Sequence, residues 1–176
     1  MPFRLHRRLV VGATLLSAAI APAQAADFNV AVAARVVSFR QPAPVKLLTA
    51  AILFDPGDPE SIAEAAAIEK RVGAGIDTGK TLIRVRRVPV SALGGLSGAD
   101  VAFVTSSLRD HHQEIAAAAQ KGGILTITSD LGCVVAARCA VAISSGSKMQ
   151  ITVNRAACKA ARVQFGSAFL MLVKEL

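Results

Sequence analysis

The chain has 176 residues, 53% of them hydrophobic and only 4% aromatic, and its 20 Lys and Arg outnumber 12 Asp and Glu. That length suits one domain with a sizeable core, burying roughly two-thirds of the surface its unfolded form exposes. Seven Phe without Tyr or Trp offer few stacking platforms, so the basic balance argues poorly for nucleic-acid binding and better for solubility or an anionic partner.

Arg4, Arg7 and Arg8 precede an uncharged apolar stretch from Leu9 to Ile20, and Ala23-Gln-Ala25 is a small-x-small cleavage site. This is the pattern of a secretory signal peptide spanning residues 1–25. Its apolar run of about a dozen residues falls short of the roughly 20 that cross a bilayer. The expected mature chain, 26–176, is one soluble α/β domain outside the cytoplasm. It keeps 17 basic and 12 acidic residues, a net charge of +5.

In the mature chain, Asp27–Phe39 places apolar residues at helical intervals around a single interior charge, Arg35. The spacing predicts a short helix with one buried face, ended by Pro42 and Pro44. Val45–Phe54 is almost continuously apolar, as a strand buried on both faces of a parallel sheet would be, and reads as the central strand. The turn cluster Asp55-Pro-Gly-Asp-Pro-Glu60 and the alanine-rich helical run Ser61–Arg71 complete the first half of a βαβ unit. Ligands of open α/β sheets bind at strand carboxyl ends, which makes Asp55 and Asp58 candidate ligand-binding residues. The alternative is that Asp58 or Ser61 simply caps the helix. The turn lacks the glycine spacing of a phosphate loop and carries the wrong charge for one.

Gly73–Gly79 reads as a flexible connector and Thr81–Val88 as a strand in which Ile83 and Val85 alternate with Arg84 and Arg86. Together with Lys80 and Arg87 these form a basic cluster. It is either a solvated edge or, through Arg84, Arg86 and Arg87, a docking patch for an acidic surface. Ser91–Gly98 loops to a second buried strand, Ala99–Thr105, and Ser106-Ser107 leads into a helix over Leu108–Lys121. Strands alternating with helices predict a largely parallel sheet with helices on both faces. His111 and His112, adjacent on that helix, diverge by about 100°, so they cannot share a metal as an i, i+4 pair would, and read as surface residues. Ser106 and Ser107 lack a Gly-x-Ser-x-Gly elbow. With no catalytic set in view, the chain is expected not to be an enzyme and to need neither metal nor cofactor.

Beyond Gly122-Gly123, Ile124–Thr128 is a short β-branched strand that enters a loop carrying Cys133 and Cys139. Ala140–Ile143 and Met149–Val153 then form a hairpin around Ser144–Lys148. Asn154 would cap a helix running toward Gly166, and Ser167–Leu176 reads as a short apolar terminal helix capped by Ser167. Export favours disulfides; Cys133 and Cys139 are the natural pair, with Cys158 left over. Closing so short a loop stabilises by only roughly 2 kcal/mol, so the bond's use is to fix the loop's shape. Small, strained or exposed loop disulfides are also more easily reduced, which leaves a redox-sensing role open beside that of a plain staple. Two thiols with no nearby His or third Cys fall short of zinc's four ligands.

This order of elements resembles the YfiR/HmsC-like family of periplasmic regulators. In that family a Gly-Gly strand, a loop with a close cysteine pair, an apolar strand and a strand ending in Asn precede a helix, a Ser-bearing turn and a Leu-rich tail. Here Ile151-Thr-Val-Asn154, Ala156-Ala157 and Phe165-Gly-Ser-Ala-Phe-Leu-Met-Leu172 take the later places, and the likeness runs from about Asp27 to Leu176. The chain departs at the family's Trp-Pro, where it reads Phe39-Arg-Gln-Pro42, and it lacks the earlier cysteine pair of some members. Roles tied to those residues do not carry over. The resemblance implies a non-catalytic periplasmic protein that binds the periplasmic portion of an inner-membrane diguanylate cyclase and represses it, lowering cyclic di-GMP and biofilm formation. It also implies the capacity to form a homodimer. The rival reading is a single-lobe periplasmic solute-binding protein serving an ABC transporter, although such receptors close two lobes on a cleft.

Overall fold

In the computed structural model of the protein, residues 28–145 and 148–176 are described. The expected signal peptide lies outside them. Asn29 caps α1 (Val30–Ser38) by accepting the Val32 amide at 3.1 Å, and Val30, Ala33, Ala34, Val36 and Val37 form the buried stripe that the spacing predicts. After the two-residue strand β1 (Arg40–Gln41) comes β2 (Leu47–Phe54). Leu48, Ala50 and Ile52 of β2 enter one core while Ala51 and Leu53 enter the other, as a continuous apolar run demands. Asp58 and Pro59 start α2 (Pro59–Val72). The segment read as a connector contains β3 (Ile76–Asp77), and β4 (Leu82–Pro89) follows it. A 3-10 segment (Val90–Leu96) leads to β5 (Val101–Val104), α3 (His112–Gly122) and β6 (Leu125–Thr128).

The last third comprises α4 (Leu131–Val135), the hairpin of β7 (Val141–Ser145) and β8 (Met149–Val153), α5 (Arg155–Ala160), β9 (Gln164–Phe165), α6 (Ser167–Leu170) and β10 (Lys174–Glu175). Cys133 therefore lies in a helical turn rather than a plain loop. The predicted helix after Asn154 stops at Ala160, and Arg162 takes a left-handed conformation, φ 53°, that ends the run ahead of Gly166.

The terminal helix is likewise shorter than expected. It stops at Leu170 and is preceded by Gly166, with no side-chain cap from Ser167. Leu170-Met-Leu-Val173 is apolar at every position and so has no helical face to bury, whereas β8 offers a free edge. β10 pairs with it in parallel, Leu176 N–H donates to the Val153 carbonyl at 2.9 Å, and Arg155 holds Glu175 at 3.1 Å.

The main sheet runs β10-β8-β7-β6-β5-β2-β4-β3; a separate pair joins β1 to β9. β4, β2, β5, β6 and β7 are mutually parallel, β3 is antiparallel to β4, and β8 is antiparallel to β7 but parallel to β10. The architecture is thus α/β, a mostly parallel sheet with α1, α2 and α5 over one face and α3 and α4 over the other. β4 lies on one side of β2 and β5 on the other, so winding reverses at β2. The carboxyl ends of β2 and β5 define a topological switch point. Among the described residues no helix is long and apolar enough to cross a membrane.

Asn154 ties the last third together: its Oδ1 accepts the Ala157 amide and its Nδ2 donates to the Val134 carbonyl, both at 2.9 Å. Replacing it with Ala removes a cap, about 1 kcal/mol, and one of the two hydrogen bonds to the Val134 carbonyl, which keeps the Ala137 amide at 3.0 Å, a further loss of about 0.5–1.5 kcal/mol. Urea denaturation of N154A should therefore show a loss of about 1.5–2.5 kcal/mol, while the exposed substitution Q150A stays within about 0.5 kcal/mol of the parent.

Candidate functional site

Three strands end at the switch point, β2 in Phe54-Asp55, β5 in Thr105-Ser106-Ser107 and β6 in Ser129-Asp130, and the first turns of α2 lie against them. Fully buried Ser61 and Thr105 join their hydroxyls at 2.7 Å, which fixes α2 to β5 at the floor of the crevice. Asp55 accepts the Gly57 amide at 2.8 Å, and its own amide donates to Ser61 Oγ at 3.0 Å. Asp58 accepts the Glu60 amide at 3.0 Å and caps α2. Both aspartates sit at the carboxyl end of β2, as expected, but each is engaged by its own turn and neither lines the cleft beside it.

The residue that occupies the crevice is Glu64, which sequence reading passed over as one acid in an alanine-rich helix. Its Oε2 accepts the amide and the hydroxyl of Ser106, each at 2.8 Å, and its Oε1 accepts Ser129 Oγ at 3.5 Å. Burial pushes its pKa above the ordinary Glu value against the pull of those three hydrogen bonds, and Glu60 pushes the same way. Donors that would meet an anionic ligand at such a strand end are thus already held by the protein's own carboxylate. The remaining cleft, about 360 Å³, is lined by Glu60, Ser106, Ser107, Arg109, Ser129, Asp130 and Leu131. Arg109 reaches Asp130 at 3.2 Å, and Asp130 also caps α4 through the Gly132 amide at 2.8 Å.

The second feature is the outer edge of β4. β3 pairs only with Leu82 and Ile83, so from Arg84 onward that edge has no partner strand among the described residues. Arg84 and Arg86 share one side of the strand, while Arg87 faces α2 and pairs with Glu69. Arg86 donates to the Ser97 carbonyl at 2.9 Å, and Arg84 is exposed with no ion-pair partner among the described residues.

The third feature is the corner of α3, α4 and β7. Cys133 and Cys139 form a disulfide with their Cα atoms 5.2 Å apart, and both are fully buried. His112 is not on the surface as expected: it is 4% exposed and faces this bond. The divergence of His111 and His112 resolves into one ring outward and one inward, which adjacency alone could not assign. Burial lowers the His112 pKa and keeps the ring neutral; Asp130 and Asp110 oppose that, while Arg138 and Arg109 reinforce it. Cys158 is a buried free thiol whose pKa burial pushes up to about 11, so it stays protonated and unreactive. A broader groove of about 720 Å³ beside α5 is lined by Arg155, Lys159 and Arg162 among others. Two of these are already committed, Arg155 to Glu175 and Arg162 to the Lys121 carbonyl.

Solved structures share this fold at low sequence identity, which establishes the fold alone. A ligand-free, open substrate-binding protein with adhesive properties from Clostridium difficile matches with TM-score 0.58 and 11% identity over 73% of this chain and 54% of its own. A conserved domain protein from Vibrio cholerae matches with TM-score 0.63 and 9% identity over 83% of this chain and 59% of its own. A Streptococcus domain of the ABC type, solved with L-Trp, gives TM-score 0.59 and 9% identity over 80% and 58%. The chain therefore spans little more than half the length of each. No curated protein is similar to it in sequence. The YfiR/HmsC-like pattern, by contrast, matches residues 57–174, from the turn before α2 into β10, and with more than half of its length so matched the chain belongs to the YfiR/HmsC-like family, a family of periplasmic, non-catalytic regulators.

Proposed function

We propose that this protein is exported, loses residues 1–25, and acts as a non-catalytic repressor. It binds the periplasmic portion of an inner-membrane diguanylate cyclase and so lowers cyclic di-GMP and biofilm formation. Family membership supports the class of role. The observation that carries the docking step is the β4 edge, where unpaired backbone groups and the cations of Arg84 and Arg86 are offered together, beside Arg87 held by Glu69. An open edge recruits an extended partner segment by backbone pairing. The arginines favour an acidic one and discourage edge-to-edge pairing between copies.

A solute-binding role, with Asp55 and Asp58 as ligand residues, draws on the likeness in fold to a substrate-binding protein and to a domain solved with L-Trp. Glu64 weighs against an anionic solute, because its carboxylate already takes the Ser106 and Ser129 donors at the switch point.

Deleting the gene should raise cellular cyclic di-GMP in a strain expressing the cognate cyclase, and an unchanged level would overturn the repressor reading. Reversing charge in R84E/R86E should weaken binding to the cyclase's periplasmic domain at least about tenfold by calorimetry, roughly 1.4 kcal/mol. Its melting temperature should stay close to the parent's. Binding that is insensitive to both substitutions and to salt would remove the edge from the interface.

Glu64 gives a pH-dependent outcome. Its raised pKa means the fold disfavours the charged form, a cost absent below the ordinary Glu pKa of about 4.3 and complete once pH exceeds the raised folded value. E64Q should therefore melt higher than the parent at about pH 7 and match it at about pH 3. A lower melting temperature at neutral pH would show that the carboxylate is a net support.

A further inference from the structure

The corner of α3, α4 and β7 holds chemistry that neither the crevice nor the arginine edge uses. Cys133 and Cys139 are each 0% exposed and His112 is 4% exposed. One ring nitrogen of His112 and the two sulfurs all lie within 4.8 Å of one another. His112 Nε2 is buried with no hydrogen-bond partner, a cost that native structures rarely leave unmet. While the sulfurs are bonded to each other they are poor ligands. A dithiol reductant changes this: it gives two electrons to the S–S bond and its two protons to the freed sulfurs, and itself closes to a disulfide.

We propose that, once Cys133 and Cys139 are reduced, this corner binds a thiophilic d10 cation, copper(I) in preference to zinc, through both sulfurs and a ring nitrogen of His112. Binding releases the two thiol protons. Donors placed roughly 2.0–2.3 Å from one metal stand about 3.5–4 Å apart. The sulfurs must therefore separate and the imidazole close in slightly. Val135, Ala136 and Arg138, between the cysteines, are exposed, which leaves that segment room to shift. The preference for copper(I) follows from donor count and softness. Among the described residues this cluster supplies three donors, two of them thiolates, whereas zinc favours four. Two thiolates around a monovalent ion leave a negative charge. Arg138 and Arg109 act on His112 in the sense that offsets this charge, and Asp130 and Asp110 act in the opposite sense.

The test uses protein carrying Cys158→Ser, so that the pair supplies the only thiols. Reduced anaerobically with a phosphine and titrated with copper(I) against bicinchoninate, it should take up one equivalent and show thiolate-to-copper absorption. The oxidised protein should take up none, and H112Q should bind at least about tenfold more weakly. Equal uptake by the oxidised protein, or H112Q binding as tightly as its parent, overturns the site, and zinc binding as tightly as copper(I) overturns the preference. If reduction unfolds the chain, one equivalent of copper(I) should restore the far-ultraviolet circular dichroism with His112 present and not in H112Q. Failure to restore it also overturns the proposal.

Discussion

Strand β2 has to be covered on both faces, because Leu48, Ala50 and Ile52 point into one core and Ala51 and Leu53 into the other. Burying each of its larger side chains contributes about 1.5–3 kcal/mol, and no charge can be placed along it without desolvation. The neighbouring strands must therefore lie on both sides of it, β4 in register from Leu47 to Phe54 and β5 from Ala50 to Leu53. Placing successive strands on opposite sides of β2 reverses the winding, and the reversal opens the crevice at its carboxyl end. The location of the polar cluster is thus a consequence of where the apolar run sits.

The fold places the crevice; its contents come from the first two turns of α2. Ser61 and Glu64 are three residues apart and so share a helix face, one hydroxyl reaching β5 and one carboxylate reaching β5 and β6. A crevice filled from within fixes the carboxyl ends of three strands. In the proposed repressor role, docking falls to a sheet edge, which needs no cavity. β4 has such an edge because β3 covers only two of its residues.

Much of this was legible in the chain. The apolar run of β2, the Asn154 cap, the β7–β8 hairpin and the alternation of arginines in β4 are local signals, each set by a few neighbouring residues, and the structure holds all four. The features that escaped reading depend on distant partners. β3 and β10 are two residues each and exist because β4 and β8 present open edges to them. Glu64 gained its role from Ser106 and Ser129, 42 and 65 residues away. His112 was misplaced because only the fold decides which of two adjacent histidines turns toward the cysteines.

Asp130 connects the two polar regions. One carboxylate oxygen accepts the Gly132 amide at 2.8 Å and starts α4, the other meets Arg109 at 3.2 Å, and the residue lines the cleft. The next residue after Gly132 is Cys133, and the Val134 carbonyl is held by Asn154 at the start of α5. α4 is five residues long, too short to stand without its ends pinned. Its N-terminus is fixed at the crevice, its middle by the disulfide and its C-terminal half by Asn154. Any rearrangement of the cysteine pair therefore acts on Asp130 and on the α5–β10 tail together, because one short helix carries both attachments.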